Sequence, residues 1–181
     1  WVIKPLWSPL VDLFRTKRLW IVSLQFALGV AFALVALTLP GPRYFQLSLA
    51  VFWLMAFSSA THDIAADGFY LLAMPPGQQA AFVGVRSTFY RLASLSAQGG
   101  LVYLAGLWHE STGSLVQAWS LIFGLLAIVF VVVGTYHLFA LPRPASDRAT
   151  AGGRSLVKEF FEVFAEFLRK RNVLPVELRH A

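Results

Sequence analysis

The chain has 181 residues, of which 57% are hydrophobic and only 13% charged, and its mean hydropathy is positive. A soluble domain carries about a quarter charged residues, and here the apolar residues run in long blocks, which excludes an ordinary soluble core. Cysteine is absent, which excludes a disulfide framework and a thiolate metal site. The net charge of +6 comes from basic residues set beside apolar blocks, the placement of a membrane-topology signal rather than of a nucleic-acid interface.

The opening, Trp1-Val2-Ile3-Lys4-Pro5-Leu6-Trp7, reads as the end of a helix that starts upstream, so the chain is expected to be a fragment. Residues 1–18 then hold that helix end and a basic loop. The first span is predicted over residues 19–39, with only Ser23, Gln25 and Thr38 as polar members. At a rise of 1.5 Å per residue it covers about 30 Å, the thickness of the hydrocarbon core. Pro40-Gly41-Pro42 ends it.

The second span is predicted over residues 44–74. Its first half is apolar, but its second half runs Ser58-Ser59-Ala60-Thr61-His62-Asp63-Ile64-Ala65-Ala66-Asp67-Gly68. Pro75-Pro76-Gly77 forces a tight turn, because neither proline continues a helix. The third span, residues 80–108, contains Arg86 and Arg91, and the fourth, residues 115–141, is almost featureless apolar sequence. Residues 142–181 read as a connecting loop with an amphipathic helix over 155–171. There Leu156, Phe160, Val163, Phe164, Phe167 and Leu168 share one face, opposite Lys158, Glu159, Glu162, Glu166 and Lys170. Such a helix suits a membrane surface or the flank of a bundle, with a partner protein as the alternative.

Lysine and arginine fall unevenly between the two sides. Lys4, Arg15, Lys17 and Arg18 precede the first span, and eight more follow the fourth, whereas the opposite loops hold only Arg43 and the acidic Glu110. Both ends of the fragment are therefore expected in the cytoplasm. The fold class is an all-α, multi-pass membrane protein.

Ionisable side chains inside a span cost several kcal/mol unless they are paired or face water. Asp63, Asp67, Arg86 and Arg91 are such residues. Counted outward from the proline turn, Asp67 matches Arg86 in depth and Asp63 matches Arg91 one turn deeper. Ser59, Asp63, Asp67 and Tyr70 form one stripe, and Ser87, Arg91, Ser94 and Gln98 another, both expected to face the bundle interior. Arg86 lies about 140° around the helix from Arg91, so Asp67–Arg86 is expected to be the weaker pair. Two readings stay open at this point: the pairs lock the hairpin, or at least one aspartate, with His62, lines a polar cavity and couples to protons. A metal site is not expected beside two arginines, nor any cofactor. No serine stands in a nucleophile elbow or beside a histidine, so the chain does not read as an enzyme.

Lys4-x-x-Trp7-Ser8-Pro9-Leu10-x-Asp12, followed by Arg15 and Lys17-Arg18, resembles the loop between the second and third helices of major facilitator superfamily permeases. With Ser59 to Gly68, which resembles a fourth-helix signature, the likeness narrows to the AmpG branch, related to acetyl-CoA transporters. The usual form there has Gln at the place of His62. The resemblance covers nearly the whole chain and implies the end of helix two through helix six of a 12-helix bundle, that is, part of its N-terminal half. It further implies proton-driven import of anhydromuropeptides across a bacterial inner membrane. Asp63 and Asp67 would be the functional acids, with His62, Arg86, Arg91 and Gln98 along the proton or substrate path. Asp12, with Arg15, Lys17 and Arg18, would form a conformational-switch loop, although these residues serve equally to set orientation and to satisfy a helix end. The implied partners are lipid, the other half of the polypeptide, a small solute and protons, without nucleic acid. A permease for an oligosaccharide or an acyl-CoA-like metabolite is one alternative, and a non-transporting membrane scaffold another.

Overall fold

The structure, a computed structural model, describes Val11, residues 15–147 and Ala165. Asp12, and all but Ala165 of the amphipathic helix expected over 155–171, lie outside the described residues. Helices make up the regular structure of the described residues, with no strand among them. They are α1 (Lys17–Thr38), α2 (Tyr44–Ala73), α3 (Pro76–Leu95), a π-helical stretch (Ser96–Gly100), α4 (Leu101–Thr112) and α5 (Leu115–Ala140).

Each boundary has a local cause. Thr16 caps α1, its hydroxyl accepting a hydrogen bond from the Leu19 amide at 3.2 Å. Met74 turns to an extended conformation before Pro75, as a residue preceding proline prefers, and Pro76 then opens α3 at a position where its missing N–H is not needed. Gly113 takes a left-handed conformation (φ 69°) to end α4, which a side chain would resist. Ser114 caps α5, accepting from the Gln117 amide at 3.4 Å.

By length and apolar composition, α1, α2 and α5 are each able to cross a membrane. The predicted third span is not among them: it is divided into pieces of 20, 5 and 12 residues, and the longest, α3, is the least apolar of the helices. The π stretch reads Ser-Ala-Gln-Gly-Gly, and two consecutive glycines hold an α-helix poorly. A widened turn of this kind is a frequent companion of functional sites.

Helix α1 is the central post. It packs along both α2 and α5, and it buries Ile21, Val22, Gln25, Leu28, Gly29, Ala31 and Val35. The contact with α5 is close because small residues allow it. A Cβ on Gly29 would lie 3.1 Å from Val131 Cγ2 and 3.4 Å from the Ala127 carbonyl oxygen. Aromatic rings fill the wider part of the seam: Phe32 stacks near Phe123 and Phe130, with centroids 6.2 and 5.1 Å away.

At one end of the bundle the two helices cap each other. Asp147, only 8% exposed, accepts hydrogen bonds from the Lys17 amide at 2.7 Å and the Arg18 amide at 3.0 Å. In return Arg18 Nε donates to the Leu141 carbonyl at 3.2 Å and Nη2 donates to that of Leu138. A carboxylate at a helix N-terminus and a guanidinium at a C-terminus satisfy the orphaned backbone groups and complement the helix dipole. Val11 closes the same end, packing with Ile21, Ala65 and Phe69. Asp147→Ala is therefore expected to lower stability by about 1–2 kcal/mol, with Asp147→Asn losing less because it still accepts hydrogen bonds. Thermal unfolding in detergent measures the order of the three proteins.

Candidate functional site

The acid-bearing half of α2 faces two different surroundings. On one side stands α3, which touches α2 only sparsely and whose residues past Ala80 are almost all exposed. Tyr70 and Gln79 tie the turn between them: the Tyr70 hydroxyl donates to the Gln79 carbonyl at 2.5 Å, and Gln79 Nε2 donates to the Met74 carbonyl at 2.8 Å. Beyond that turn one ion pair joins the helices, Arg86 Nη2 to Asp67 Oδ1, with both side chains about half exposed. The Arg86 guanidinium also lies 5.9 Å from the centroid of the Tyr70 ring, within cation–π range.

The pairing expected from depth is thereby reversed. Asp67–Arg86, the pair expected to be weaker, is formed, and no ion pair joins Asp63 to Arg91 among the described residues. The reason is the divergence of α3 from α2: depth-matching holds near the turn, where the long Arg86 side chain spans the gap, and fails one turn further on. Asp63 is half-buried and Asp67 exposed, and the stripe carrying Ser87, Arg91 and Gln98 is exposed rather than turned inward. Arg91 makes no ion pair or hydrogen bond among the described residues. With Tyr70, Arg86, Ser87 and Tyr90 it lines a groove of about 470 Å³. The two guanidiniums give this surface positive charge and hydrogen-bond donors, beside the Ser87 hydroxyl and two tyrosine rings. Gln98 stands outside it, in the π stretch.

On the other side of α2 lies a partly open pocket of about 420 Å³, lined by α1, α2 and the end of α5. Its walls are largely apolar, among them Ile21, Phe69, Met74 and Leu141, and its polar lining residues are Gln25, His62, His137 and Tyr70, the last shared with the arginine groove. Gln25 is 6% exposed, and its carboxamide meets His137 Nδ1. Either the amide nitrogen donates to Nδ1 (2.8 Å) or a protonated Nδ1 donates to the amide oxygen (2.9 Å), according to the histidine tautomer. His62 Nε2 is buried and has no hydrogen-bond partner among the described residues. His62 thus sits one residue off the aspartate stripe and lines this pocket rather than the arginine groove.

Gln25 and His137 did not stand out from the sequence as site residues. The available signal was their polarity within otherwise apolar spans, but 112 positions separate them and nothing local marks them as partners. Of the basic loop, Arg15 is exposed, Arg18 is the cap on α5, and Lys17 lies across α2 at Gly68. A Cβ at Gly68 would come within 2.8 Å of Lys17 Cδ, so the glycine beside Asp67 is what lets this side chain pass.

The sequence profile of the BT1 family matches residues 1–176. Two curated relatives, both anhydromuropeptide permeases, come from Escherichia coli strain K12 and from Escherichia coli O157:H7. Each is 33% identical over 114 residues, a match covering 60% of this chain and 23% of the relative. The chain thus corresponds to only part of the length of these relatives. No solved structure matches it.

The chain contains no cysteine, so a single introduced thiol reports on its own surroundings. Ser87→Cys in the arginine groove is expected to react with a membrane-impermeant maleimide in the time that leaves Ala31→Cys, 2% exposed between helices, unlabelled. Equal protection of the two positions would show that water does not reach the groove.

Proposed function

The chain belongs to the BT1 family, and from that membership we propose that it supplies four spans of the first half of a proton-coupled solute permease. Its solute is an anhydromuropeptide, imported across the bacterial inner membrane. The observation that carries this reading is the 33% identity, over 114 residues, to permeases named for that solute. Both ends of the chain face the cytoplasm, in keeping with the lysines and arginines that flank the first and fourth spans. The end of the bundle that carries Arg18 and Asp147 is then its cytoplasmic end.

The roles follow from the chemistry of the side chains. A peptide-bearing solute brings carboxylates, for which the guanidiniums of Arg86 and Arg91 are fitting partners, with Tyr70 and Tyr90 as flat apolar surfaces beside them. Gln98 extends the same stripe with an uncharged hydrogen-bonding group. Asp63 is the proton-binding acid. When neutral it is tolerated in a site closed to water, and when charged it needs water or a cation, so its protonation biases which side the site opens to. Asp67 is held by Arg86 and tunes how much positive charge the solute meets. Asp12, Arg15, Lys17 and Arg18 form the switch loop at the cytoplasmic end, where Arg18 already joins α1 to α5.

Uptake by the full-length protein in proteoliposomes, acidic outside, tests the reading. Asp63→Asn is expected to bring gradient-driven uptake of labelled anhydromuropeptide down to background. Uptake that persists at the wild-type rate in that variant removes Asp63 from the coupling. A wild-type protein that imports an oligosaccharide or an acyl-CoA-like solute instead overturns the choice of solute.

A further inference from the structure

The chamber between α1, α2 and α5 shares only Tyr70 with the solute groove proposed above, and it is built like a site of its own. Four polar side chains from three helices line it: Gln25, His62, Tyr70 and His137. His62 Nε2 is buried there without a partner among the described residues. A buried polar nitrogen ordinarily has a partner, which here leaves water as the natural one. Apolar cavities stay dry, but a chamber of about 420 Å³ offering an imidazole nitrogen, a second imidazole and a carboxamide has the room and the hydrogen-bonding groups for several waters.

The placement says what such water does. Gln25 engages His137 through Nδ1 and so fixes the orientation of the ring, leaving Nε2 as the atom able to exchange a proton. His62 immediately precedes Asp63 in α2, so the chamber begins one residue from the proposed proton-binding acid. Its other boundary is Met74, Leu141 and Pro142, at the same end of the bundle as the Arg18 and Asp147 caps. The titratable groups around His62 are Asp63 and Tyr70 on its own helix and His137 on α5. Helix α1 faces α2 with Gln25, which does not titrate, and with the Lys17 side chain laid across Gly68, while Arg18 beyond the rim is committed to the α5 carbonyls. On the α3 side, Arg86 is engaged by Asp67.

We propose that the chamber lined by Gln25, His62 and His137 is a hydrated proton exit, through which a proton leaving Asp63 reaches the cytoplasmic end of the bundle apart from the solute path. The inference rests on the proton-coupled reading above. The proton passes from the Asp63 carboxyl through water to His62, from His62 through chamber water to His137 Nε2, and from there to bulk water. Each imidazole returns to its starting state, and the net change is a carboxylate at Asp63 and one proton gained by the water at the cytoplasmic end.

The test uses the full-length protein in proteoliposomes with three readings: gradient-driven uptake of labelled anhydromuropeptide, solute exchange at equal pH, and lumenal pH from a trapped dye. His62→Phe and His137→Phe are each expected to cut gradient-driven uptake and solute-linked acidification by about tenfold or more, as the loss of a positioned proton carrier does, while solute exchange continues. His62→Gln preserves polarity and approximate size without a titrating group, and it is expected to behave as His62→Phe does. It decides the question if the phenylalanine variant does not fold. The proposal is overturned if the histidine variants keep driven uptake while Asp63→Asn loses it, and equally if they lose exchange in step with driven uptake. A wild-type protein that moves no protons with solute overturns the coupled reading itself and the exit with it.

Discussion

The mutual capping of α1 and α5 is the constraint on which the remaining geometry hangs. A helix end in an apolar setting leaves backbone groups without partners, and here each helix supplies the ion that the other needs. Asp147, beyond α5, satisfies the first amides of α1, and Arg18, at the start of α1, satisfies the last carbonyls of α5. The two helices are thereby held in one axial register. Glycine at positions 29 and 134 then lets their backbones close up along that register, with a Cβ at Gly134 meeting the Phe26 ring at 3.4 Å. A shift of one helix by a single turn would break the caps and the seam together.

That register also sets the chemistry within the bundle. Gln25 lies two turns above the Arg18 cap, and His137 sits just before the carbonyls that Arg18 engages, so the same alignment brings carboxamide and imidazole to hydrogen-bonding distance. Helix α2 is fixed against this pair by Phe69 and Ala65 in the core and by the passage of Lys17 over Gly68. His62 is carried into the chamber as a result, and the aspartate stripe is left facing elsewhere. One helix thus separates two kinds of polar surface, a groove bearing arginines and a chamber bearing histidines.

Helix α3 behaves differently because it has little to pack against. It is the least apolar of the helices, it follows a rigid proline turn, and it stands away from α2 except near that turn and at the Asp67–Arg86 pair. Exposed Phe82, Phe89, Tyr90 and Leu95 give it an apolar surface that the described residues do not cover. The exposure of its arginines is what opens the groove, and the π stretch at Ser96–Gly100 is where the helix changes course to reach α5 through α4.

The helices along the chain were legible in the sequence because the cost of moving a residue from water into an apolar setting is local and additive. Residues 19–39, 44–74 and 115–141 announce α1, α2 and α5 to within two residues at each end, and Pro40, Pro75 and Pro142 mark where helices stop. The likeness to the AmpG branch was legible for a related reason, since a short motif such as Ser59 to Gly68 lies within one helix. Which polar side chains meet was a different matter. Depth-counting from the turn favoured Asp63–Arg91, yet the splay of α3 left Asp67–Arg86 as the pair formed. Gln25 with His137, and Arg18 with the Leu141 carbonyl, depend on the rotation and axial shift of helices whose contacting residues are 112 and 123 positions apart. Local composition determines that a segment is a helix and that it prefers an apolar surround. Only the packed bundle, by fixing how each helix is turned against its neighbours, decides which of its few polar groups share a site.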